Sequence, residues 1–396
     1  MPVTATLRKY VLGPIARTLL RIILRTWSLD GFEVGSVGAH KFGHLALEPL
    51  IGHLEARRRS VGDRKVLWTL GPRRGASNSA LHALWHRELK IFPRHLLGLA
   101  ISTHGPHLLP TSIYGARNVL DQDPWRPRLT AKDRDVGRRF LLDHGWDGVR
   151  PLIGIVVNEG LHYGKSWLSH ETEIAPNLRV LTFRVHEFEP VISEMVRRGF
   201  TVVRLGAPPA TPLAIAGSGV IDYATTGPRN AALDVILPGL MTTVISTQSG
   251  PDAVALMFGV PVAYVDVARL KYCFYDVSTV YWQPAVLQAS GGERLGLRHL
   301  LAPEYYELKT PEDFASLGIS VHRASPADRI SATLEGIEFG SGAIKLDDRD
   351  REMQEVVRGA FARAKERGVL GERGAATGTL SPDFLRKNGD WFLRDL

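Results

Sequence analysis

The chain has 396 residues, 44% of them apolar and 23% charged, enough for about two or three domains with real cores. That composition excludes a disordered chain, a collagen-like fibre and a multi-span membrane protein, and a single cysteine, Cys273, excludes intrachain disulfides and cysteine-cluster metal sites. With 49 Lys and Arg against 41 Asp and Glu the net charge is +8, which turns attention to nucleic acid, anionic membranes and phosphorylated ligands.

Residues 1–26 hold Arg8, Lys9, Arg17, Arg21 and Arg25 and no acid. Arg17, Arg21 and Arg25 recur every fourth residue and share one helical face, with Leu12, Ile15, Leu19, Ile22, Ile23 and Trp27 on the opposite arc. The spacing predicts a basic amphipathic helix over 1–30, the pattern of a segment lying in a membrane interface. Arginine interrupts it too often for it to span a bilayer, and it lacks the cleavage site of a signal peptide. A first helix packed on the domain with its arginines outward is the other reading. Zinc-finger spacing, an aromatic-rich basic strand and a helix-turn-helix signature are all missing from the sequence, so nucleic acid is not an expected partner.

From residue 32 onward, β-rich runs alternate with helical patterns. Strands are predicted at 32–37 and 65–70, with helices at about 44–59, 78–89 and 131–144. Residues 91–130 are proline-rich and carry no clear assignment. A second series starts at Pro151: strands at 152–157, 201–205, 220–223, 243–246 and 259–266, and helices at 186–198 and from Ser249 to Phe258. Short apolar strands separated by helices need crossover connections and a parallel sheet covered on both faces. The expectation is an α/β chain of two Rossmann-like domains. Its parts are the helix 1–30, an N-terminal domain at 31–150, a C-terminal domain at 151–340, and a final helix with a packed, aromatic-anchored tail at 341–396.

The strongest chemical signal is Ser246-Thr247-Gln248-Ser249-Gly250-Pro251-Asp252. An apolar strand ends in small hydroxyl residues and a helix starts at once. Its unpaired N–H groups and dipole form an anion site, which Gly250 lets a phosphate approach. A capped helix with nothing bound is the alternative. Strand ends are also where ligands bind in open α/β sheets.

Arg204, near a strand end before Gly206, has a planar fork suited to a diphosphate; a salt bridge to Asp222 or Asp234 is its alternative. Asp222 and Tyr223 suit a ribose and a base, or a pair at the edge of the core. His44 and Glu48, four apart at the start of a helix, suit a base that takes an acceptor proton; a capping His and a solvated Glu is the alternative. His162, His170 and His186 have no metal-ligand spacing. A Walker loop, a G-x-S-x-G elbow and a G-x-G-x-x-G after a strand are all missing.

The run Thr247–Pro251, a short helix and Phe258-Gly259-Val260-Pro261 resembles the donor-phosphate segment of GT-B glycosyltransferases, bacterial heptosyltransferases among them. Met195–Gly206, Val220–Ala224 and Leu233–Leu237 precede it in order, and Gly43–Glu48 lies near the start. As a set they resemble a family of bacterial glycosyltransferases of surface-polysaccharide synthesis, over most of residues 35–265 and least at 91–180. The family usually has a longer aromatic-rich region after the second domain's first strand, and residues 158–177 diverge from it.

The resemblance implies a GT-B architecture, two Rossmann-like domains facing a cleft. It implies transfer from a nucleotide sugar, a substrate rather than a cofactor, to a glycan, lipid-linked or small-molecule acceptor without a metal. His44 and Glu48 would be catalytic. Arg204, Gly206, Asp222, Tyr223, Thr247, Gln248, Ser249, Gly250 and Pro251 would bind the donor. The expected place is the cytoplasm, peripheral at the inner face of the cell membrane. A non-hydrolysing nucleotide-sugar epimerase and a non-catalytic nucleotide- or glycan-binding protein share the architecture and are the rival readings.

Overall fold

The computed structural model describes residues 33–59, 66–71, 76–91, 107–108, 111–113, 115, 117–160, 182–206 and 210–396. The predicted helix at 1–30 lies outside them, as do His162 and His170. The chain divides into two units, Met1–Ile113 and Tyr114–Leu396.

In the first unit, strand β1 (Glu33–Val37) runs into helix α1 (Phe42–Arg59), β2 (Val66–Leu70) into α2 (Ser79–Glu88), and β3 (His107–Leu108) follows. The three strands are parallel in the order β2-β1-β3, with Val37 opposite Leu70 and Glu33 opposite His107. Trp68, on the middle of β2, is buried where β1 and α1 both present glycine. A Cβ at Gly35 would come within 2.3 Å of its ring and one at Gly52 within 2.7 Å, so the absent side chains make room for the indole.

The second unit begins with α3 (Val119–Gln122) and α4 (Ala131–Asp143), then β4 (Leu152–Val156), α5 (Glu189–Arg197), β5 (Thr201–Leu205) and β6 (Val220–Ile221). It continues with α6 (Ala231–Ile236), β7 (Thr243–Ser246), α7 (Gly250–Met257), β8 (Val262–Val267), β9 (Val280–Pro284) and β10 (Val286–Ala289). Then come α8 (Leu297–Leu300), α9 (Pro303–Tyr306), α10 (Pro311–Ser316), β11 (Ile319–His322), α11 (Pro326–Gly340), α12 (Asp348–Glu366), β12 (Thr379–Leu380) and α13 (Pro382–Phe392). Seven strands form one parallel sheet in the order β12-β9-β8-β7-β4-β5-β6, while β10 and β11 pair antiparallel beside it.

Strands β4, β5, β7, β8 and β9 are buried at every residue, as their unbroken apolar runs require of a sheet covered on both faces. On one face Val191, Ile192 and Met195 of α5 and Ala332 and Ile337 of α11 pack on Ile153, Ile155, Val202, Ile245, Ala263 and Tyr281. Fully burying a Leu- or Ile-sized side chain contributes about 1.5–3 kcal/mol, so each such residue in this layer is a sizeable part of the unit's stability.

The division at 113/114 gives α4 to the second unit, whereas the sequence reading puts the boundary near 150. The cause is close packing on α6: a Cβ on Gly137 would come within 2.6 Å of Ile236 and Leu240. The tail enters the sheet through β12, where Thr379 stands opposite Tyr281. The Asp121 carboxylate holds α3 to this edge, accepting from the Ser278 N–H at 2.9 Å and the Thr377 hydroxyl at 2.8 Å. Among the described residues no helix is long and apolar enough to cross a membrane.

Candidate functional site

Sheet order points to a location. From β4 the chain builds outward through β5 and β6, then returns to place β7 on the other side of β4. That reversal is a topological switch point, the place at the carboxyl ends of the strands where ligands bind in open α/β sheets.

The two loops are stitched together. The Asn158 N–H donates to Thr247 Oγ1 at 2.8 Å and the Thr247 N–H donates to the Val156 carbonyl at 3.1 Å. Thr247 is thus buried between the strand ends, its hydroxyl used in holding the loops. Gln248 follows in the left-handed region, at φ 64°, which few non-glycine residues adopt and which turns the chain sharply into the helix. Its N–H donates to Ser246 Oγ at 3.1 Å and its Nε2 to the Arg269 carbonyl at 3.1 Å, tying this turn to the loop after β8. Ser249 is the extended N-cap of α7, and Gly250 and Pro251 open the helix.

Asp252, buried in the first turn of α7, supports the turn as the acid of its capping box. One carboxylate oxygen accepts from the Ser249 N–H and from Ser246 Oγ, both at 2.7 Å. Burial pushes the carboxyl up to about 6, against the Ser246 and Ser249 hydrogen bonds, which pull it down. Its sequence signal is an acid three residues past a serine N-cap, the spacing of a capping box.

A carboxyl that holds its proton more tightly folded than unfolded, here about 6 against the ordinary 3.8, stabilises the fold fully below the lower value. That contribution is lost as pH rises through the higher one. Asp252→Asn keeps an acceptor for Ser249 and should remove about 2–3 kcal/mol of the stability change between roughly pH 4 and 7. Urea midpoints across that range check it; an unaltered profile would clear Asp252 of any part in the acid response.

Arg204 sits inside the fold. It is the fourth residue of β5, 2% exposed. Its Nη2 donates to Glu159 at 2.5 Å, and its Nη1 to Asp222 at 3.2 Å and to the Thr211 carbonyl at 2.5 Å. Asp222 also accepts from the Leu213 N–H at 3.0 Å. One guanidinium therefore joins the ends of β4 and β5, the segment just after β6 and the loop at 211–213. Of the two sequence readings, the salt bridge to Asp222 describes this geometry, and Glu159 is the partner the sequence did not reveal.

Tyr223 is buried, and its hydroxyl donates to Asp234 at 2.7 Å, so the ring belongs to the core beneath the loop. Burial is the first cause that holds its phenol well above the ordinary range, with the Asp234 contact second. Gly206, at φ 148°, lets the chain leave β5 with its carbonyl accepting from Arg229 Nε at 3.1 Å.

In the first unit, His44 and Glu48 lie at the start of α1, just past the carboxyl end of β1. His44 Nδ1 is 2.7 Å from Glu48 Oε1, both half-buried. A proton on Nδ1 donated to that carboxylate leaves the imidazole lone pair on Nε2, the tautomer a general base needs. The next residue, Pro49, has no N–H to give the Leu45 carbonyl one turn back. The Trp85 indole N–H of α2 donates to that carbonyl at 2.7 Å, so the proline's missing bond is replaced and the turn bearing the pair is fixed.

Among the described residues no three His, Cys, Asp or Glu side chains are grouped as a metal ion would need.

No family model matches the chain, and no curated protein matches it. Solved structures similar to it include a glycosyl transferase family 9 protein from Veillonella parvula, at 14% identity and a TM-score of 0.46, over 78% of this chain and 97% of that one. E. coli ADP-heptose LPS heptosyltransferase II is similar at 11% identity and 0.40, over 76% and 99%. E. coli heptosyltransferase WaaC, solved with ADP-2-deoxy-2-fluoro heptose, is similar at 10% identity and 0.30, over 59% of this chain and 88% of that one.

Proposed function

We propose that the chain is a glycosyltransferase of the GT-B type, which moves a sugar from a nucleotide-sugar donor to a glycan, lipid-linked or small-molecule acceptor without a metal. The observation that carries this is the turn Thr247–Gly250, set at the sheet's switch point and leading into the amino end of α7. The Gly250 N–H and the positive end of the α7 dipole are suited to a leaving diphosphate, the N–H groups of Thr247, Gln248 and Ser249 being engaged within the fold. His44 would take the proton of the acceptor hydroxyl, with Glu48 holding the ring and stabilising the imidazolium that forms. The acceptor oxygen then attacks the anomeric carbon, and the bond to the diphosphate breaks with its electron pair going to the diphosphate oxygen. Arg204, Asp222 and Tyr223 act in this reading as the frame of the loop beside the donor. The basic pattern at 1–30 is the reason for including a lipid-linked acceptor, met at the inner face of the membrane.

The test is binding of nucleoside diphosphates and nucleotide sugars by thermal shift and calorimetry, with Gly250→Val as the comparison. A branched side chain in the first turn should block the approach to the amino end of α7. The expected result is affinity weakened at least tenfold with the melting temperature of the free protein unchanged. Equal affinity in both proteins ends the donor assignment.

A further inference from the structure

The proposed reaction leaves a buried acid of the turn unused. Asp252 is 4% exposed in the first turn of α7, and a chain of hydrogen bonds joins it to the turn before it. Its Oδ2 accepts from the Ser249 N–H and from Ser246 Oγ, both at 2.7 Å, and Ser246 Oγ in turn accepts from the Gln248 N–H at 3.1 Å. The carboxyl thus holds Ser249 directly and Gln248 through one hydroxyl. No cation balances it. Among the described residues its partners are hydroxyls and backbone N–H groups, with no ion pair to a Lys, Arg or His.

The charged and titratable groups around Asp252 are few. Strand β7 and the rest of α7 hold none, and neither does the short turn Pro238–Leu240 that packs on α7. From β8 comes Tyr264, whose buried phenol is held well above its ordinary range, by burial first. Asp266, at the end of the same strand, is paired with Arg329. Cys273 and Arg117 act on the Tyr264 phenol in their turn; burial pushes the Cys273 thiol up, and Arg117 is held in a buried ion pair with Asp276. Burial also pushes the Asp252 carboxyl up to about 6, so its charge changes close to neutral pH.

An anion at the amino end of α7 and an ionised Asp252 draw on the same partial positive charge of the helix. In a buried setting their repulsion is poorly screened, and the acid relieves it by taking a proton. We infer that Asp252 is a proton-linked control on the donor turn, taking up a proton when the diphosphate of the nucleotide sugar binds, so that donor binding strengthens as pH falls. The inference rests on the donor reading above and adds to it how that site is regulated. By linkage, a complex that holds the proton more tightly than the free protein binds best below the pKa of the free protein. Affinity then falls as pH rises through that value and levels off above the pKa of the complex. A difference of about one unit between the two makes the whole change about tenfold.

The experiment is calorimetry on the full chain with a panel of nucleotide sugars between roughly pH 5 and 9, for wild type, Asp252→Asn and Gly250→Val. Nucleotide sugars are the probe because both their phosphates are esterified and keep one charge state across this range, unlike free nucleoside diphosphates. Wild-type affinity should fall about tenfold from the acid to the basic end, and the measured heat should vary with the ionisation enthalpy of the buffer, which counts the proton taken up. Asp252→Asn keeps an acceptor for the Ser249 N–H and carries no charge. Its affinity should change by less than about twofold across the range and exceed that of wild type at the basic end. Asp252→Ser, whose hydroxyl can also accept from that N–H, stands in if the asparagine variant does not fold. Wild-type affinity independent of pH, beside a loss in Gly250→Val, overturns this inference and leaves the donor reading standing. A pH dependence that persists in the Asp252 variants also overturns it, by giving the proton to another group. Unchanged affinity in Gly250→Val takes the donor away from the turn and ends the donor assignment and this inference together. A wild type that binds no nucleotide sugar of the panel does the same.

Discussion

Arg204→Ala should destabilise the second unit by about 3–5 kcal/mol, the range for removing one partner from a buried ion pair. The guanidinium is replaced by nothing, and the Glu159 and Asp222 carboxylates, with side chains only 8% and 18% exposed, are left facing each other. The Thr211 carbonyl loses its donor as well. Chemical denaturation should show the loss as a lower midpoint. Combining the substitution with Glu159→Gln and Asp222→Asn should recover part of it, because the repulsion then disappears. A protein that keeps its midpoint but binds diphosphate poorly would reverse the assignment and make Arg204 a ligand.

His44→Ala should lower turnover by about 10²–10⁴-fold, the usual contribution of a positioned general base, while leaving nucleotide affinity in place. The two properties separate because the pair lies on α1 in the first unit and the turn proposed for the donor leads into α7 in the second. Glu48→Gln should cost less than His44→Ala, since the amide can still accept from Nδ1 but no longer stabilises the imidazolium. The readout is initial rate with a donor identified by the binding panel, together with donor affinity by calorimetry. Turnover unaffected by either substitution would return the pair to a role in holding the start of α1.

The strands that filled most of the sheet were readable because their burial is encoded in short continuous apolar runs. The strands at 201–205 and 243–246 lie where the sequence places them. The predicted strand at 220–223 is shorter, because Asp222 and Tyr223 turn away to meet Arg204 and Asp234. The predicted helix at 186–198 starts later for a local reason: Val185–Phe188 form a tighter helical turn, and Pro190 then sets the first turn of α5. Strand β12 was invisible, since two residues carry no period. Sheet order was equally hidden, because periodicity says which face of a strand is buried and nothing about its neighbours.

The same distinction runs through the site. A helix start after Ser249 is a local property of Ser-Gly-Pro-Asp and shows in the letters. The partners of Arg204 are far away in the chain, at Glu159 and Asp222, and only the pairing of β4, β5 and β6 brings them together. The tie from Gln248 Nε2 to the Arg269 carbonyl had no motif around it at all, since it depends on how the chain leaves β8.

The late strand β12 has a consequence for how the molecule is made. Thr379 and Leu380 complete the sheet beside Tyr281 and Trp282, and Gln354 of α12 clamps the Leu380 backbone, its Nε2 on the carbonyl at 2.6 Å and its Oε1 accepting the N–H at 3.2 Å. Synthesis delivers the chain from its amino end, so β4 to β9 leave the ribosome well before their last neighbour does. Through that interval β9 presents an unpaired row of backbone groups, an edge that other strands can pair with. Closing so long a loop is also slow, because its entropy must be lost before the new contacts return anything. The nascent second unit therefore keeps an open sheet edge until residues 379–392 have emerged and covered it.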